Sequence, residues 1–480
     1  MPAPAASRSA LGRSAVVVWA LGAVALLVLL ALWQRNGYWE FSDGVYALTG
    51  RLVADGHGLY SDVAAAQPPP IYLVAAGVLS VSDTLTALRA ALAVVELATS
   101  ALVLVAVWRL TASRPAAVAA ALLALVTPWA LREHAQLLPE TFAAPLLLAA
   151  ALAAGSAGRG ADAADGGADA AKRGAAGAGG GADVWNALLA GGLAAGAAAF
   201  KLAFALPALV LLLLGVARGG RVRALAGFAG TGAVLALASL ALYGGDVVDG
   251  ALTAQRESGI AGLSYVGGLW AQGGWNLLPL LACAALAWPL RARIGDPALL
   301  RALAAAALGA LLLFLTLFKT GSYLTIVVVA EPPLLCLAAA AATAVLRQPT
   351  RAEAGGCVGE PPSVQSAARL PAMRVAIGVA AALGVLQVGS LLVRPGDPVL
   401  FTRPLAASGG ERELSPAQVD AAVAVIRACP AGAATSGPPF LAFAAGRRIA
   451  GDQPDQFILA HAAALGRFRA AADRDQPRCP

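Results

Sequence analysis

The sequence predicts an all-α polytopic membrane protein, a bundle of about eleven transmembrane helices with a small C-terminal α or α/β module. Three observations predict it. Of 480 residues, 59% belong to the set AVILMFWYC and 13% are charged, against about 25% charged in soluble domains. The apolar residues come in long unbroken runs, which favours spanning helices over the alternation of a barrel. The formal net charge of +7 sits in short Arg/Lys clusters between those runs, where it sets orientation and forms no nucleic-acid face. One soluble core cannot hide so much apolar surface, and a disordered chain would be poor in it.

The expected spans lie near Ala15–Trp33, Leu85–Trp108, Pro115–Leu131, Glu140–Leu152, Val184–Phe200, Leu202–Gly215, Ala224–Tyr243, Trp275–Leu290, Leu299–Phe318, Thr325–Leu346 and Val375–Val393. The first is too long for a signal-peptide core and has no A-x-A-like site after it, so it reads as a retained anchor. With residues 1–14 cytoplasmic, the inner segments hold most of the Arg and Lys, as the positive-inside rule requires. An odd number of spans then places residues 394–480 outside. Residues 155–183 are Gly/Ala/Asp low complexity and residues 347–374 contain Pro361-Pro362; both read as flexible cytoplasmic linkers.

The first outer loop, residues 34–84, is too aromatic and apolar for disorder, and loops of such length usually carry function. Ser42 can cap a helix reaching about Ala54, where Asp55-Gly56-His57-Gly58 stops it. Val45, Leu48, Leu52 and Val53 share one face of that helix, which suits a helix lying on the membrane surface. Asp43 is in its first turn and Tyr46 one turn on. Tyr60-Ser61-Asp62 and Gln67-Pro68-Pro69-Pro70 then lead into a second short helix over residues 71–81.

This run, SDGVYALTGRLVADGHGLYSDVAAAQPPPIYL, resembles the first outer loop of the GT-C superfamily of membrane glycosyltransferases. The pattern is similar to the family 39-like group, which includes protein mannosyltransferases and aminoarabinose transferases. The matching positions are Asp43, Tyr46, Gly56 with Gly58, and Pro68-Pro69. Protein mannosyltransferases carry an Asp-Glu pair here, whereas Asp43 is followed by Gly44. The resemblance covers residues 15–393. It implies a polyprenyl-phosphate-linked sugar as donor, an acceptor that is a protein, lipid or glycan, transfer with inversion at the extracytoplasmic face, and Asp43 as the base.

Such chemistry needs a carboxylate to take the acceptor proton and cations to hold the departing phosphate. Read alone, Asp43 also suits an ordinary first-turn carboxylate stabilising its helix. Arg132, Glu140, Lys201, Lys319 and Glu331 all fall on the same expected side as Asp43. Ionisable groups at membrane depth tend to face a cavity or a partner. The run Lys319-Thr320-Gly321-Ser322-Tyr323, followed by Glu331-Pro332-Pro333, also resembles a later outer loop of the family. Arg132, Lys201 and Lys319 are therefore candidate phosphate contacts, with Tyr46, Asp62, Glu140, Tyr323 and Glu331 as further substrate-binding candidates. For each cation the alternative is snorkelling to the interface. Glu96 falls near the middle of the second span, where a buried ion partner or a protonated carboxyl would explain it.

No Walker, Rossmann or zinc signature is present. No cofactor is implied with certainty; some members of the family use a divalent metal, and no ligand cluster here decides that. His57 and His461 sit in no metal pattern. Cys429 and Cys479 bracket the C-terminal segment and are expected to form a disulfide, while Cys283 and Cys336 fall inside spans. Two other readings remain: a transporter, which would show repeated halves with broken helices, and a GT-C-like scaffold without catalysis.

Overall fold

The computed structural model describes residues 11–33, 41–133, 135–157, 179–273, 277–347, 378, 416–430, 434–435, 438–472 and 478–479. The expected span 375–393 and the two linkers fall largely outside these residues.

The chain is an all-α polytopic membrane protein. Seven helices among the described residues are long and apolar enough to cross a bilayer. In chain order the helices are α1 (Arg13–Trp33), α2 (Phe41–Ala54), α3 (Pro70–Val81), α4 (Leu85–Thr111), α5 (Arg114–Leu123), α6 (Pro128–Arg132), α7 (Pro139–Ala157) and α8 (Gly179–Phe200). There follow α9 (Ala205–Val210), α10 (Arg221–Tyr243), α11 (Leu263–Gly273), α12 (Leu278–Ala285), α13 (Pro297–Leu312) and α14 (Val327–Leu346). Thr84, Ser113, Thr127 and Asp296 cap α4, α5, α6 and α13, each accepting a backbone N–H of the first turn.

Three expected spans are not single continuous helices. The run 115–131 breaks after α5 and resumes as the five-residue α6. The run 202–215 winds from a 3₁₀ turn through α9 into a π turn at Leu211–Gly215. In 275–290 only α12 is regular α-helix among the described residues. Hydropathy reports that a segment is apolar; it does not report where a buried polar partner lets the backbone leave the helix.

The two ends of the bundle differ. The lower end is tied by Arg109, which donates to Asp296 at 3.0 Å and to the Leu152 carbonyl and Ser156 hydroxyl, each at 3.1 Å. The Gly295 N–H bonds the Leu110 carbonyl nearby, at 2.8 Å. Helix α10 stands at the rim against α8, and no residue in its most apolar window is buried, as befits a helix whose neighbour is lipid.

The upper end carries α2, α3, residues 246–273 and the C-terminal module. That module contains α15 (Pro416–Arg427), α16 (Pro439–Ala444), α17 (Gln456–His461) and α18 (Gly466–Ala472). A two-residue parallel pair joins Ala434–Thr435 to Arg478–Cys479. The expected surface helix with one apolar face is instead enclosed: Asp43 to Gly50 are all buried. It lies between α3 and α16, and glycine permits both approaches. A Cβ on Gly50 would sit 2.4 Å from the Ala75 Cβ, and one on Gly44 would sit 2.3 Å from the Phe440 backbone nitrogen. The departure from an Asp-Glu pair therefore has a packing cause, because no side chain fits at position 44.

Candidate functional site

The polar residues of the upper end form three linked groups. In the first, the Asp43 carboxylate takes two bonds from the Arg89 guanidinium, at 2.9 and 2.5 Å, and a third from the Leu137 N–H at 2.7 Å. Arg89 also donates to the Ala135 carbonyl at 2.5 Å. It lies on the second turn of α4, while Asp43 is 1% exposed. The fork geometry of guanidinium on carboxylate fixes both groups.

The second group contains the lysines. Lys201 follows the last turn of α8 and donates to Glu140 at 2.8 Å. Glu140 is in the first turn of α7 and is 1% exposed. Lys319 follows the 3₁₀ turn Leu313–Phe318. Its strand-like segment is pinned by a bond from the Thr320 N–H to the Gly259 carbonyl at 3.1 Å. Burial lowers the Lys319 ammonium to about 8, with the Lys201 charge acting in the same direction and the Asp455 carboxylate against it. The turn Leu202–Phe204 after Lys201 packs on the turn Leu313–Phe318 before Lys319, so the two lysines share one neighbourhood, an arrangement suited to an anion.

Asp455 comes from the C-terminal module, where it caps α17 by accepting from the Ile458 N–H at 3.0 Å. Desolvation raises its carboxyl to about 6, partly offset by that cap bond and by Lys319. Two residues on, Phe457 lies against Gly321, where a Cβ would meet the ring at 2.5 Å. Gly321 has φ +80, so close packing and backbone conformation both call for glycine. Further ties hold the module down. Gln453 accepts from the Ala64 N–H and donates to the Asp62 carbonyl, both at 2.8 Å. Arg467 donates to the Tyr60 carbonyl and pairs with Asp246, also at 2.8 Å. Arg51 donates to the Phe443 carbonyl and lies 4.0 Å over its ring.

The third group lies deeper. Glu331, 6% exposed on α14, accepts from the Thr127 hydroxyl at 2.6 Å and from the Trp129 N–H at 3.4 Å. Glu96 accepts the Ala135 N–H at 2.6 Å. A small cavity of about 60 Å³ lies here, with Glu96, Glu133, Glu331, Thr99, Thr127 and Thr141 in its wall.

The structure therefore gathers Glu140, Lys201 and Lys319, and sets Asp43 against Leu137 and Glu331 against Thr127 and Trp129, with Arg132 at the end of α6 between them in sequence. Other candidates have different surroundings. Tyr46 is 6% exposed, its ring edge-on to Tyr72 with centroids 5.6 Å apart. Asp62 is exposed and bonds the Gly58 N–H within its own turn, at 2.7 Å. Tyr323 packs half-buried against the main core, next to the Ser322 carbonyl that accepts from Tyr265 at 2.7 Å. Cys429 is disulfide-bonded, and Cys479 stands in the strand paired with Ala434–Thr435. Arg89 and Asp455 were not among the expected site residues. Arg89 had one signal, a cation a turn inside an apolar span; Asp455 had only its helix-capping position. Among the described residues, no three His, Cys, Asp or Glu side chains are grouped as metal ligands.

No protein-family model and no curated protein matches the sequence. Among solved structures, the fold matches ArnT from Cupriavidus metallidurans bound to undecaprenyl phosphate with TM-score 0.56 and 15% identity, over 96% of this chain and 89% of that one. ArnT from the same organism in the apo state matches with TM-score 0.53 and 17% identity, over 94% and 89%. The fold is thus similar to that of ArnT over most of both chains.

Proposed function

We propose that the chain is a membrane glycosyltransferase that moves a sugar from a polyprenyl-phosphate donor to an acceptor at the extracytoplasmic face, with inversion. The observation that carries this reading is the gathering of Lys201 and Lys319 at the upper end, in a fold whose solved example binds undecaprenyl phosphate. The acceptor oxygen attacks the anomeric carbon as the bond from that carbon to the phosphate oxygen breaks. The phosphate leaves with the bonding pair, and cations fixed beforehand stabilise its developing charge. Lys201, Lys319 and Arg132 are assigned to that role. Arg and Lys at the lower helix ends, including Arg109, Arg114, Arg291, Arg293 and Arg347, support a cytoplasmic lower end, a cytoplasmic N-terminus and an extracytoplasmic C-terminus.

Asp43 is the proposed base for the acceptor proton. Both its oxygens are engaged in this structure, so base work requires the acceptor hydroxyl to displace one of the present donors. That observation favours a second reading, in which Asp43 orients Arg89 and the 135–137 backbone. The deciding experiment is transfer from a panel of polyprenyl-phosphate sugars by the purified protein. Lys319→Ala and Lys201→Ala should raise KM for the donor, and failure of the wild type to bind or use any polyprenyl phosphate would refute the function. If Asp43→Asn folds but loses kcat, Asp43 is the base; if it keeps full activity, Asp43 acts by positioning.

A further inference from the structure

Three carboxylates on three helices, Asp43 and Glu331 buried and Glu96 half-buried, converge on one irregular stretch of backbone. Asp43 of α2 accepts the Leu137 N–H, Glu96 of α4 accepts the Ala135 N–H, and Glu331 of α14 accepts the Thr127 hydroxyl and the Trp129 N–H. Arg89 completes the ring through the Ala135 carbonyl. Residues 124–127 on one side of α6, and 133 and 135–138 on the other, lie outside regular helix, and backbone groups freed within a membrane protein require internal partners. A continuous apolar helix would need none of these carboxylates, whose burial is costly. The break is therefore maintained against a simpler alternative. What it displays is the end of α6, where Arg132 is followed by Glu133 in the wall of the cavity that Glu96 and Glu331 also line.

We propose that Glu96 and Glu331 are positioning residues: by accepting hydrogen bonds from the 127–135 backbone and Thr127, they hold the Arg132-bearing turn in register with the lysines for the donor phosphate. This rests on the glycosyltransferase reading of the same site. The required property of each glutamate is a polar end in a fixed place. Glutamine keeps an oxygen for the backbone N–H, and at position 331 its amide NH2 can donate to the Thr127 hydroxyl; leucine does neither.

The test uses the full-length protein in detergent, with polyprenyl phosphate lacking a sugar as the binding probe. Glu331→Gln and Glu96→Gln should bind it within about threefold of wild type, whereas Glu331→Leu and Glu96→Leu should bind roughly tenfold more weakly or worse, as loss of a buried hydrogen-bond partner implies. Rescue by glutamine is the signature of positioning. Thr127→Val and Thr127→Ser give the same contrast should a leucine variant fail to fold, since serine keeps the hydroxyl that reaches Glu331. Leucine and valine variants that bind like wild type overturn the proposal. So does a glutamine variant as impaired as its leucine counterpart, because charge would then matter more than the acceptor. Absence of binding by the wild type itself refutes the functional reading and is told apart from both.

Discussion

Replacing Gly44 with alanine sets two effects of opposite sign against each other. Inside a helix, Gly→Ala ordinarily stabilises by about 0.5–1 kcal/mol, because glycine loses more backbone freedom on folding. At Gly44 the new Cβ would stand 2.3 Å from the Phe440 nitrogen and 2.7 Å from its Cα. Both neighbours are backbone, so no rotamer change makes room. Heavy atoms in contact prefer roughly 3.5 Å, so α2 and α16 would have to separate by about 1 Å. Overpacking of this kind costs about 1–3 kcal/mol, which at mid-range values leaves a net loss of about 1 kcal/mol. Gly77→Ala in α3 is the matched control, with nothing within 4 Å of its Cβ. The assay is the thermal midpoint of both variants in one detergent, read with limited proteolysis of the C-terminal module. Gly44→Ala should lower the midpoint and expose the module, while Gly77→Ala leaves it unchanged or raises it. Identical midpoints and cleavage rates for the two would refute the claim that α16 closes on Gly44.

Other outcomes are equally specific. Lys201→Ala strands Glu140, which is 1% exposed; breaking a fully buried pair costs about 3–5 kcal/mol, less here because the Lys201 side chain is 27% exposed. The Lys201→Ala/Glu140→Ala double variant should therefore have a higher thermal midpoint than Lys201→Ala alone. A phosphodiester donor keeps its charge while Lys319 loses its own as pH rises through about 8, so KM for the donor should climb above that pH. Asp455 raises the Lys319 pKa, hence Asp455→Asn should start that climb at a lower pH; a profile identical to wild type contradicts the Lys319–Asp455 pairing. The disulfide of Cys429 is expected to run to Cys479. Non-reducing mass spectrometry that finds the Cys479 thiol free would exclude this pairing, which is otherwise worth roughly 3–4 kcal/mol for a loop of about 50 residues.

The sequence by itself determined the solvent and the fold class. Hydrophobic run length is a local property, and a segment such as Leu85–Thr111 needs no tertiary partner to declare that it spans a membrane. The polar residues were locatable for a related reason: with 13% charged residues, each charge in or beside an apolar run stands out. Thus Glu140, Lys201, Lys319 and Glu331 were legible as charges that require partners. Their partners were not. The pair Asp43–Arg89 joins residues 46 apart, Glu331–Thr127 spans 204, and Gln453 meets Ala64 across 389. Such contacts depend on how helices pack, and no local periodicity records them. Gly44 shows the same division within one residue. By sequence it is a departure from an acidic pair, and only the approach of Phe440, nearly four hundred residues later, gives it a steric reason. Tertiary packing also turned Glu96 and Glu331 from isolated membrane charges into acceptors for broken backbone, because an amide released from a helix away from water must find an oxygen.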